Sequence, residues 1–417
     1  MKAFWSRAHD RATAFDAADP LAPMRDLFHL PEGLIYLDGN SLGPAPKAAF
    51  AELKAATRGE WAEGLIRSWN AQDWFDLPQI YGDRLAPLIG AAPGEVVVCD
   101  TVSVNVAKAL HAALNLHPGR SVIAAEGAGF HTDRYIAEGV AAARPGTRLL
   151  LEGRDADRIE DLIGPETAAV LVNHVDYRTG ALRDMPALTR AAHKAGALAI
   201  WDLCHSAGAM PVELNGASAD LAVGCTYKYL NGGPGAPGFV FCASRHLADI
   251  TQPLTGWWGH AAPFAFETDY RPAPGIAKFL CGTQPIMSLR ALKPALDIFA
   301  GVDMAQLRAK SMALTSLFID LADQTCGPHG VTVASPGNAE ARGSQVALRF
   351  ADAYPVMQAL IAEDVIGDFR PPNILRFGFA PLYISFTDTC RAAETLHRIL
   401  AQASWRDDRF QSRNKVT

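Results

Sequence analysis

The sequence predicts an α/β protein with a large domain, built on a mostly parallel sheet covered by helices, and a smaller α+β domain. Strand-like and helix-like patterns alternate between residues 95 and 242, which is typical of a parallel sheet with crossover helices. The segments 168–172 and 197–201 are apolar at every position, as in strands buried on both faces. After about Pro285 the pattern changes to a long helical stretch and then a mixed region, which indicates a second domain.

The individual elements follow in order along the chain. A short apolar strand at 35–37 runs into a Gly/Asn/Pro-rich turn, which leads into a helix from about residue 46. Further strands are expected at 95–99, 121–125, 149–151, 168–172, 197–201, 221–225 and 238–242. Helices are expected at 104–116, 134–143 and 185–195, and one continuous helical stretch at 287–319. The predicted parts are an N-terminal arm with part of the small domain (1–47), the large domain (48–290) and the C-terminal small domain (291–417).

Composition narrows the class of protein. The chain has 417 residues, 49% of them hydrophobic, which is enough for two domains with their own cores. Charged residues make up 20%, the formal net charge is −6 and no basic run is present, so we expect neither a nucleic-acid nor a membrane-surface partner. No apolar stretch reaches the ~20 residues that span a bilayer, and residues 1–10 do not look like a secretory signal.

The cysteines and histidines give no sign of a metal centre or a disulfide framework. The seven cysteines are scattered and form no C-x-x-C pair, which favours a reduced, cytoplasmic setting. The twelve histidines show no ligand spacing with an acid nearby. The sequence therefore predicts no metal site.

Asp202 and Lys228 form the central constellation. Asp202 follows the apolar strand candidate at 197–201, and Lys228 lies between the strand candidate at 221–225 and a Gly-rich turn. Ligands of such sheets bind at the carboxyl ends of the strands, so both side chains are expected to face one crevice. A pyridoxal cofactor needs this pair, because a carboxylate keeps its ring nitrogen protonated and a lysine amine forms its Schiff base. Either residue alone is more commonly a cap, an ion-pair partner or a solvated side chain.

Two further segments carry candidate ligands for a phosphate and a ring. At 100–105 a strand ends and a helix opens, so Ser103 is expected to cap the helix while backbone N–H groups face a phosphate. Directly after the next strand, Phe130 is placed to lie on a pyridine face and Asp133 to hydrogen-bond the cofactor. Taken alone, these features are more commonly an ordinary helix cap, a core aromatic and a turn acid.

Together with several other stretches, these segments resemble the kynureninase family, which belongs to the aspartate-aminotransferase-type superfamily of pyridoxal-phosphate (PLP) enzymes. The matching stretches are YLDGNSLGP (36–44), GFHTD (129–133), WDLCHSAG (201–208), CTYKYLNGGPG (225–235), GWWGH (256–260), GTQPI (282–286) and LRFGFAPLY (375–383). DGNSLG and the pair of YKYLN and GWWGH are specific, whereas the Asp and Lys indicate only the superfamily. The resemblance implies PLP fold type I, with a seven-stranded-type sheet in the large, PLP-binding domain.

The resemblance also implies catalytic and cofactor-binding roles, with pyridoxal 5'-phosphate as the cofactor. The implied catalytic residues are Lys228, Tyr227 and Asp202. Lys228 would carry the cofactor and move protons on the substrate, and Asp202 would hold the pyridine nitrogen. The implied cofactor-binding residues are Val102, Ser103, Phe130, Asp133, Asn173, Asp202, His205, Tyr227, Lys228, Trp257 and Thr283. Among these, Tyr227 and Trp257 would contact the phosphate.

For the substrate, the resemblance implies hydrolysis of the β–γ carbon bond of L-kynurenine or 3-hydroxykynurenine, giving anthranilate or 3-hydroxyanthranilate and L-alanine. Arg376 would pair with the substrate α-carboxylate, because a guanidinium suits a planar carboxylate; the alternative is a surface or domain-bridging ion pair. His260 would shape the aromatic pocket or simply satisfy a loop. The preference between the two substrates is left open, with Trp69, Asn70, His260 and Thr283 as candidate determinants.

The resemblance further implies a homodimer with the active site at the subunit interface, and a place in tryptophan degradation, either catabolic or leading to NAD. Three alternatives share the cofactor. A cysteine desulfurase or selenocysteine lyase would need a mobile nucleophile, for which Cys326, expected in a loop, is the candidate. An aminotransferase would consume a keto acid, and a non-catalytic PLP-binding relative would not turn substrate over.

Overall fold

The computed structural model describes residues 1–413 and opens with an arm that packs against the end of the chain. Helix α1 (Lys2–Ala17) lies along the C-terminal helix at 386–402. Strand β1 (Ile35–Tyr36) pairs in parallel with a short strand at 365–366. The arm is thereby attached to the C-terminal part of the chain, far from it in sequence. Among residues 1–413, no helix is both long and apolar enough to cross a membrane.

A seven-stranded sheet forms the centre of the large domain. Its strands are β2 (Val96–Val98), β3 (Val122–Ala125), β4 (Arg148–Leu151), β5 (Thr167–Asn173), β6 (Leu198–Asp202), β7 (Leu221–Cys225) and β8 (Gly238–Cys242). They lie in the order β2-β8-β7-β6-β5-β3-β4. Neighbours from β7 to β4 are parallel, whereas β8 is antiparallel to both β7 and β2. The predicted mostly parallel sheet is confirmed.

Helices cover both faces of this sheet. The helices that pack on its strands are α4 (Leu77–Leu85), α5 (Val102–Leu116), α6 (His131–Ala143) and α7 (Met185–Lys194). Helix α8 (Ile286–Phe299) packs on α4 and on α2 (Lys47–Ala55), which is followed by a π-helical segment Ala56–Gly64 and by α3 (Ser68–Ala71). Alternate strand residues enter two different cores: Val170 belongs to one and Leu171 to the other. Because both faces of the sheet are covered, the sequence of each strand is a continuous apolar run and does not alternate between apolar and polar residues.

The smaller domain contains a four-stranded antiparallel sheet in the order β12-β13-β10-β9. Its elements are α9 (Met304–Cys326), β9 (Thr332–Val333), β10 (Gln345–Arg349), α10 (Ala353–Ile361), β11 (Val365–Ile366), β12 (Asp368–Arg370), β13 (Ile374–Gly378) and α11 (Phe386–Gln402). This mixture of helices and a separate sheet agrees with the predicted α+β character.

The prediction of one continuous helix over 287–319 is wrong. Helix α8 ends at Phe299 and α9 begins at Met304. The Asp303 carboxylate accepts a hydrogen bond of 2.8 Å from the backbone N–H of Ala305, so it caps the start of a new helix. The helical spacing of apolar residues continues across this cap. Hydrophobic spacing alone therefore does not reveal where one helix ends and the next begins.

A buried ion pair fastens the arm to the small domain and predicts a large stability effect. Lys310 Nζ on α9 lies 2.6 Å from Asp19 Oδ2, and both side chains are nearly inaccessible. We expect Lys310→Met to lower the free energy of unfolding by about 3–5 kcal/mol, because Asp19 is left as an uncompensated buried charge. Denaturant titration measures this effect.

Two control variants separate charge pairing from packing at this position. The double variant Asp19→Leu/Lys310→Met is expected to recover most of the lost stability, because no buried charge remains. Lys293→Met breaks the exposed pair with Asp297 (3.0 Å) and is expected to cost less than about 1 kcal/mol. A loss at Lys310 no larger than that at Lys293 would contradict a buried pair.

Candidate active site

A cavity of about 600 Å³ opens at the carboxyl ends of the parallel strands, as predicted for ligands of such sheets. Its lining comes from the start of α5, the start of α6 and the segments that follow β6 and β7. The lining residues are Asp100, Thr101, Val102, Ser103, Val104, Phe130, Thr132, Asp133, Cys204, Tyr227, Lys228, Gly235, Ala236, Pro237, Gly238 and Pro285. Six predicted site residues therefore line one cavity.

Lys228 lies in a turn that backbone contacts hold in place. The Gly232 N–H donates to the Thr226 carbonyl at 2.8 Å, and the Gly43 N–H donates to the Tyr227 carbonyl at 2.8 Å. A Cβ at Gly43 would come within 2.4 Å of the Lys228 carbonyl oxygen, so this close approach requires glycine. The DGNSLG segment thus supports the lysine turn across almost two hundred residues of sequence.

The Lys228 side chain is buried and points between an imidazole and an aromatic face. Its Nζ lies 3.3 Å from His205 Nε2 and 5.5 Å from the centre of the Phe130 ring. Burial, reinforced by the Lys228 charge, holds the pKa of His205 well below its ordinary value. The imidazole is therefore neutral and can accept a hydrogen bond from the lysine.

Asn173, the last residue of β5, joins two carboxylates. Its Nδ2 donates to Asp133 Oδ2 at 2.8 Å and to Asp202 Oδ2 at 3.0 Å. Its Oδ1 accepts from the Phe130 N–H at 2.8 Å. Burial, and then the neighbouring Asp202 charge, raises the pKa of Asp133. Asp202 also accepts from the Cys204 N–H at 2.7 Å.

Asn173 is held from its backbone by a row of charged side chains. The Asn173 N–H donates to Glu126 Oε2 at 2.9 Å, and Arg183 bridges Glu126 at 2.5 Å and Glu152 at 2.7 Å. Burial raises the pKa of Glu126 to about 7, although Arg183 opposes the shift. Neither Glu126 nor Arg183 was a predicted site residue, because no sequence motif shows that they support Asn173.

The raised pKa of Glu126 predicts a pH-dependent stability. In the unfolded chain Glu126 has its ordinary pKa of 4.5, so it releases its proton at a lower pH than in the folded chain. The wild-type free energy of unfolding therefore falls as pH rises from about 4.5 to about 7. Glutamine does not titrate, so the free energy of unfolding of Glu126→Gln should rise relative to that of wild type as pH increases. We expect this difference to grow by about 1–3 kcal/mol between about pH 5 and about pH 8. Denaturant titrations across this range measure the difference.

The matched control is Glu166→Gln, at a carboxylate directly before β5 whose side chain is 70% exposed. The Glu126→Gln difference from wild type should change more over this pH range than the Glu166→Gln difference does. If the Glu126→Gln difference changed no more than that, Glu126 would not bind a proton in that range.

The predicted helix cap at Ser103 is wrong. Helix α5 begins at Val102, and Thr101 Oγ1 accepts from the Val104 N–H at 3.4 Å. Ser103 is instead the second residue of the helix and lines the cavity with Val102. The first turn of α5 therefore opens on the cavity, as a phosphate site requires.

Arg376 is buried on β13 and fully surrounded by acceptors. Its Nε donates to Asp368 Oδ1 at 2.8 Å, and its Nη2 contacts the other carboxylate oxygen of Asp368. Nη1 donates to the Tyr177 carbonyl at 2.6 Å, and Nη2 to Ser41 Oγ at 3.0 Å. The Tyr177 ring in turn packs edge-on against Phe130 at 5.4 Å. Arg376 is thus not a surface ion pair, but a buried group next to the residues of the cavity.

Trp257, His260 and Thr283 do not line the cavity of their own chain. Trp257 is 39% exposed and packs with Trp69 and Phe75. His260 is held by its own loop, with its Nδ1 accepting from the Ala262 N–H at 3.0 Å. Thr283 is exposed on the segment before α8. Among the candidate specificity residues, Trp69 is half-buried in this aromatic cluster and Asn70 is exposed.

Cys326 does not have the setting of a mobile nucleophile. The expected loop is absent, since Cys326 is the last residue of α9 and is fully buried. Burial raises the pKa of its thiol to about 11, which suppresses the thiolate that such chemistry needs. Within residues 1–413, no group of three or more His, Cys, Asp or Glu side chains has the geometry to hold a metal ion.

The fold is shared with enzymes that act on sulfur amino acids. The cysteine desulfurase CsdA from Escherichia coli superimposes with a TM-score of 0.76 at 19% identity, covering 92% of this chain and 98% of that one. The cystine C-S lyase C-DES superimposes with a TM-score of 0.73 at 18% identity, covering 89% and 97%. At these identities the likeness establishes the fold class alone.

Sequence comparison assigns the family. The chain is 51% identical over 415 residues to a kynureninase of Burkholderia pseudomallei strain 1106a, covering 99% of this chain and 100% of the relative. It is 51% identical over 408 residues to a kynureninase of Pseudomonas fluorescens, covering 97% and 98%. The model of the kynureninase C-terminal domain matches residues 307–396. The chain belongs to the kynureninase family, which confirms the predicted resemblance.

Proposed function

We propose that this chain is a pyridoxal-phosphate-dependent hydrolase that cleaves the β–γ carbon bond of L-kynurenine, giving anthranilate and L-alanine. The observation that carries the proposal is the buried Lys228 amine, which faces the Phe130 ring in a cavity backed by paired carboxylates. Membership of the kynureninase family supports the choice of substrate and reaction.

The residues of the cavity fit this cofactor. Asp133 Oδ1 is buried without a hydrogen-bond partner in the described chain, so the wall of the cavity offers a buried polar atom that a polar group of a bound cofactor would satisfy. The Phe130 ring offers a flat surface for the pyridine. The first turn of α5, with Ser103, offers N–H and hydroxyl donors to the phosphate, and Tyr227 stands at the same cavity.

The protein's share of the reaction is attachment, orientation and proton transfer. Lys228 Nζ is the attachment point, and it takes and returns the proton at the substrate α-carbon. The neutral His205 accepts from Nζ without adding a second positive charge. Asp202, oriented by Asn173 and the Cys204 N–H, would hold the protonated ring nitrogen of the cofactor. When bound, the cofactor supplies the electron sink for the carbanions.

Arg376 is the proposed site of the substrate α-carboxylate. Asp368 and Ser41 fix the plane of its guanidinium, so a carboxylate that takes the place of one of its present acceptors would meet donors that are already oriented. The Tyr177 carbonyl, which accepts from Nη1, connects this group to the Phe130 side of the cavity. The net reaction adds one water across the β–γ bond.

The proposal includes a homodimer with its active site at the subunit interface. Trp257, His260 and Thr283 lie outside the cavity of their own chain, and Trp257 is part of an exposed aromatic surface with Phe264. In a dimer these residues serve the cavity of the second copy. We also propose a cytoplasmic enzyme of tryptophan degradation, with domain boundaries at residues 47–48 and 290–291.

The experiment mixes PLP-loaded protein with L-kynurenine and follows anthranilate fluorescence while alanine is assayed in parallel. Equimolar anthranilate and alanine are expected, and 3-hydroxykynurenine in place of kynurenine shows which substrate has the higher kcat/KM. If cofactor binds but neither substrate is cleaved, the hydrolase proposal is wrong. Release of sulfur from cysteine, or amino transfer to a keto acid, would then identify the alternative.

A further inference from the structure

A carboxylate stands at the end of the cavity where the cofactor phosphate is proposed to bind. Asp100 directly precedes Thr101, the residue that caps α5, and it lines the cavity with 23% of its side chain exposed. Among residues 1–413, the side chains that line the cavity include two carboxylates, Asp100 and Asp133, and one cation, Lys228. Since Lys228 is the proposed attachment point of the ring, a phosphate at the start of α5 would face the Asp100 carboxylate, which repels it.

A lysine behind this carboxylate balances its charge. Lys108 lies about two turns after the start of α5, and its side chain is fully buried. Its Nζ donates to Asp100 Oδ2 and, at 2.5 Å, to the Phe279 carbonyl. A buried ammonium needs such a charged partner. Because Lys108 does not border the cavity, it would act on a phosphate through Asp100 and not by direct contact.

The same pair holds the turn that joins β2 to α5. Asp100 has a φ of 48°, in the left-handed region that aspartate and asparagine tolerate better than most residues. Its N–H donates to Gln284 Oε1 at 3.1 Å, and its carbonyl accepts from the Gly238 N–H at 2.7 Å. The geometry of this turn determines where the first N–H groups of α5 point. The pair therefore controls both the direction of these donors and the charge beside them.

We propose that the Lys108–Asp100 pair is a positioning element that sets the preference of the cavity for a phosphorylated cofactor. Lys108 cancels a carboxylate that would repel the phosphate, and Asp100 keeps both the buried ammonium and the turn in place. The proposal rests on the proposed function, because it takes pyridoxal phosphate as the occupant of the cavity. Its consequence is that phosphate affinity follows the net charge of the pair.

The test titrates cofactor-free, full-length protein with pyridoxal phosphate and, separately, with pyridoxal, and follows the visible absorbance of the ring bound at Lys228. The ratio of the two dissociation constants isolates the phosphate, because the ring and its attachment are the same. Lys108→Met leaves an unpaired negative charge and is expected to lower the preference for the phosphorylated form about tenfold or more. Asp100→Asn leaves an unpaired positive charge and is expected to raise it about threefold or more. The double variant Asp100→Asn/Lys108→Met carries neither charge and should stay within about threefold of wild type.

Lys278→Met is the matched control. Lys278 is also buried, at 7% exposure, but its Nζ donates to the backbone carbonyls of Leu247 at 2.6 Å and Ala248 at 3.4 Å. The loss of a buried ammonium at this position should leave the ratio of the two dissociation constants unchanged. A general effect of removing a buried lysine would instead appear in both lysine variants.

The outcomes separate this proposal from the proposed function. If wild type binds pyridoxal phosphate and cleaves kynurenine, but the ratio is unchanged in Lys108→Met and Asp100→Asn, the role of the pair is wrong and the proposed function stands. A shift in the same direction in both variants would likewise overturn an effect of charge. If Lys108→Met does not fold, Asp100→Asn decides, because a preference no higher than that of wild type contradicts the proposal. A wild-type protein that gives no visible band with pyridoxal phosphate would overturn the proposed function and this proposal with it.

Discussion

Replacing Lys228 by alanine is expected to abolish anthranilate release, with kcat lower by on the order of 10³-fold or more. The buried amine is the only lysine nitrogen within reach of the Phe130 ring, at 5.5 Å from its centre, among the contacts of the described chain. Without it the cofactor has no covalent attachment and the α-carbon has no base. Steady-state kinetics and the visible absorbance of the lysine-bound cofactor measure the two losses separately.

Two comparisons make the Lys228 result specific. Lys194→Ala changes an exposed lysine in the last turn of α7 and should leave both kcat and the absorbance unchanged. The thermal midpoint of Lys228→Ala should stay close to that of wild type. The neighbouring His205 is neutral, so removing the lysine leaves no unpaired charge in the site. A variant that keeps the visible band and full turnover would remove Lys228 from the proposed mechanism.

Asp202→Asn is expected to lower kcat by on the order of 10²- to 10⁴-fold, and Asp133→Asn by less than about tenfold. Both carboxylates share the Asn173 amide, but Asp133 has the raised pKa. The raised pKa disfavours the charged form of Asp133, so asparagine at 133 is the smaller electrostatic change, whereas asparagine at 202 would remove the carboxylate proposed to hold the ring nitrogen. Kinetics together with absorbance-monitored pH titrations measure both variants.

The paired variants also test which carboxylate faces the ring nitrogen. Asp202→Glu keeps the charge and should retain more activity than Asp202→Asn. If Asp133→Asn were the more damaging change, the assignment of the two carboxylates would have to be reversed. Asn173→Ala is expected to raise the pKa of Asp133 further, because it removes an amide hydrogen bond that favours the charged form of this carboxyl.

The strand framework was predictable because its signals are local. Continuous apolar runs gave β7 and β8 at their observed bounds and β3, β5 and β6 to within a residue or two. The general rule for parallel sheets then placed Asp202 and Lys228 at the same edge. The helix break between α8 and α9 and the start of α5 depended on caps, which hydrophobic spacing does not show.

The partners inside the site were not predictable, because they are far apart in sequence. Asp368 and Arg376 face each other only through the register of β12 and β13. Ser41 reaches both from the opposite end of the chain. Glu126 and Arg183 support Asn173 from two different connections. A sequence motif identifies single candidate residues. The contacts between residues of different motifs are known only once the sheets are placed in three dimensions.

The acceptors around Arg376 have a consequence for the rate of product release in the proposed reaction. An incoming carboxylate exchanges with acceptors that the guanidinium already has, so it gains little affinity over what it displaces. Alanine retains the α-carboxylate of the substrate and therefore meets the same arginine. A bare, unpaired arginine would hold product as firmly as substrate and lengthen its residence time. By keeping Arg376 occupied through Asp368 and Ser41, the fold favours rapid emptying of the site between cycles.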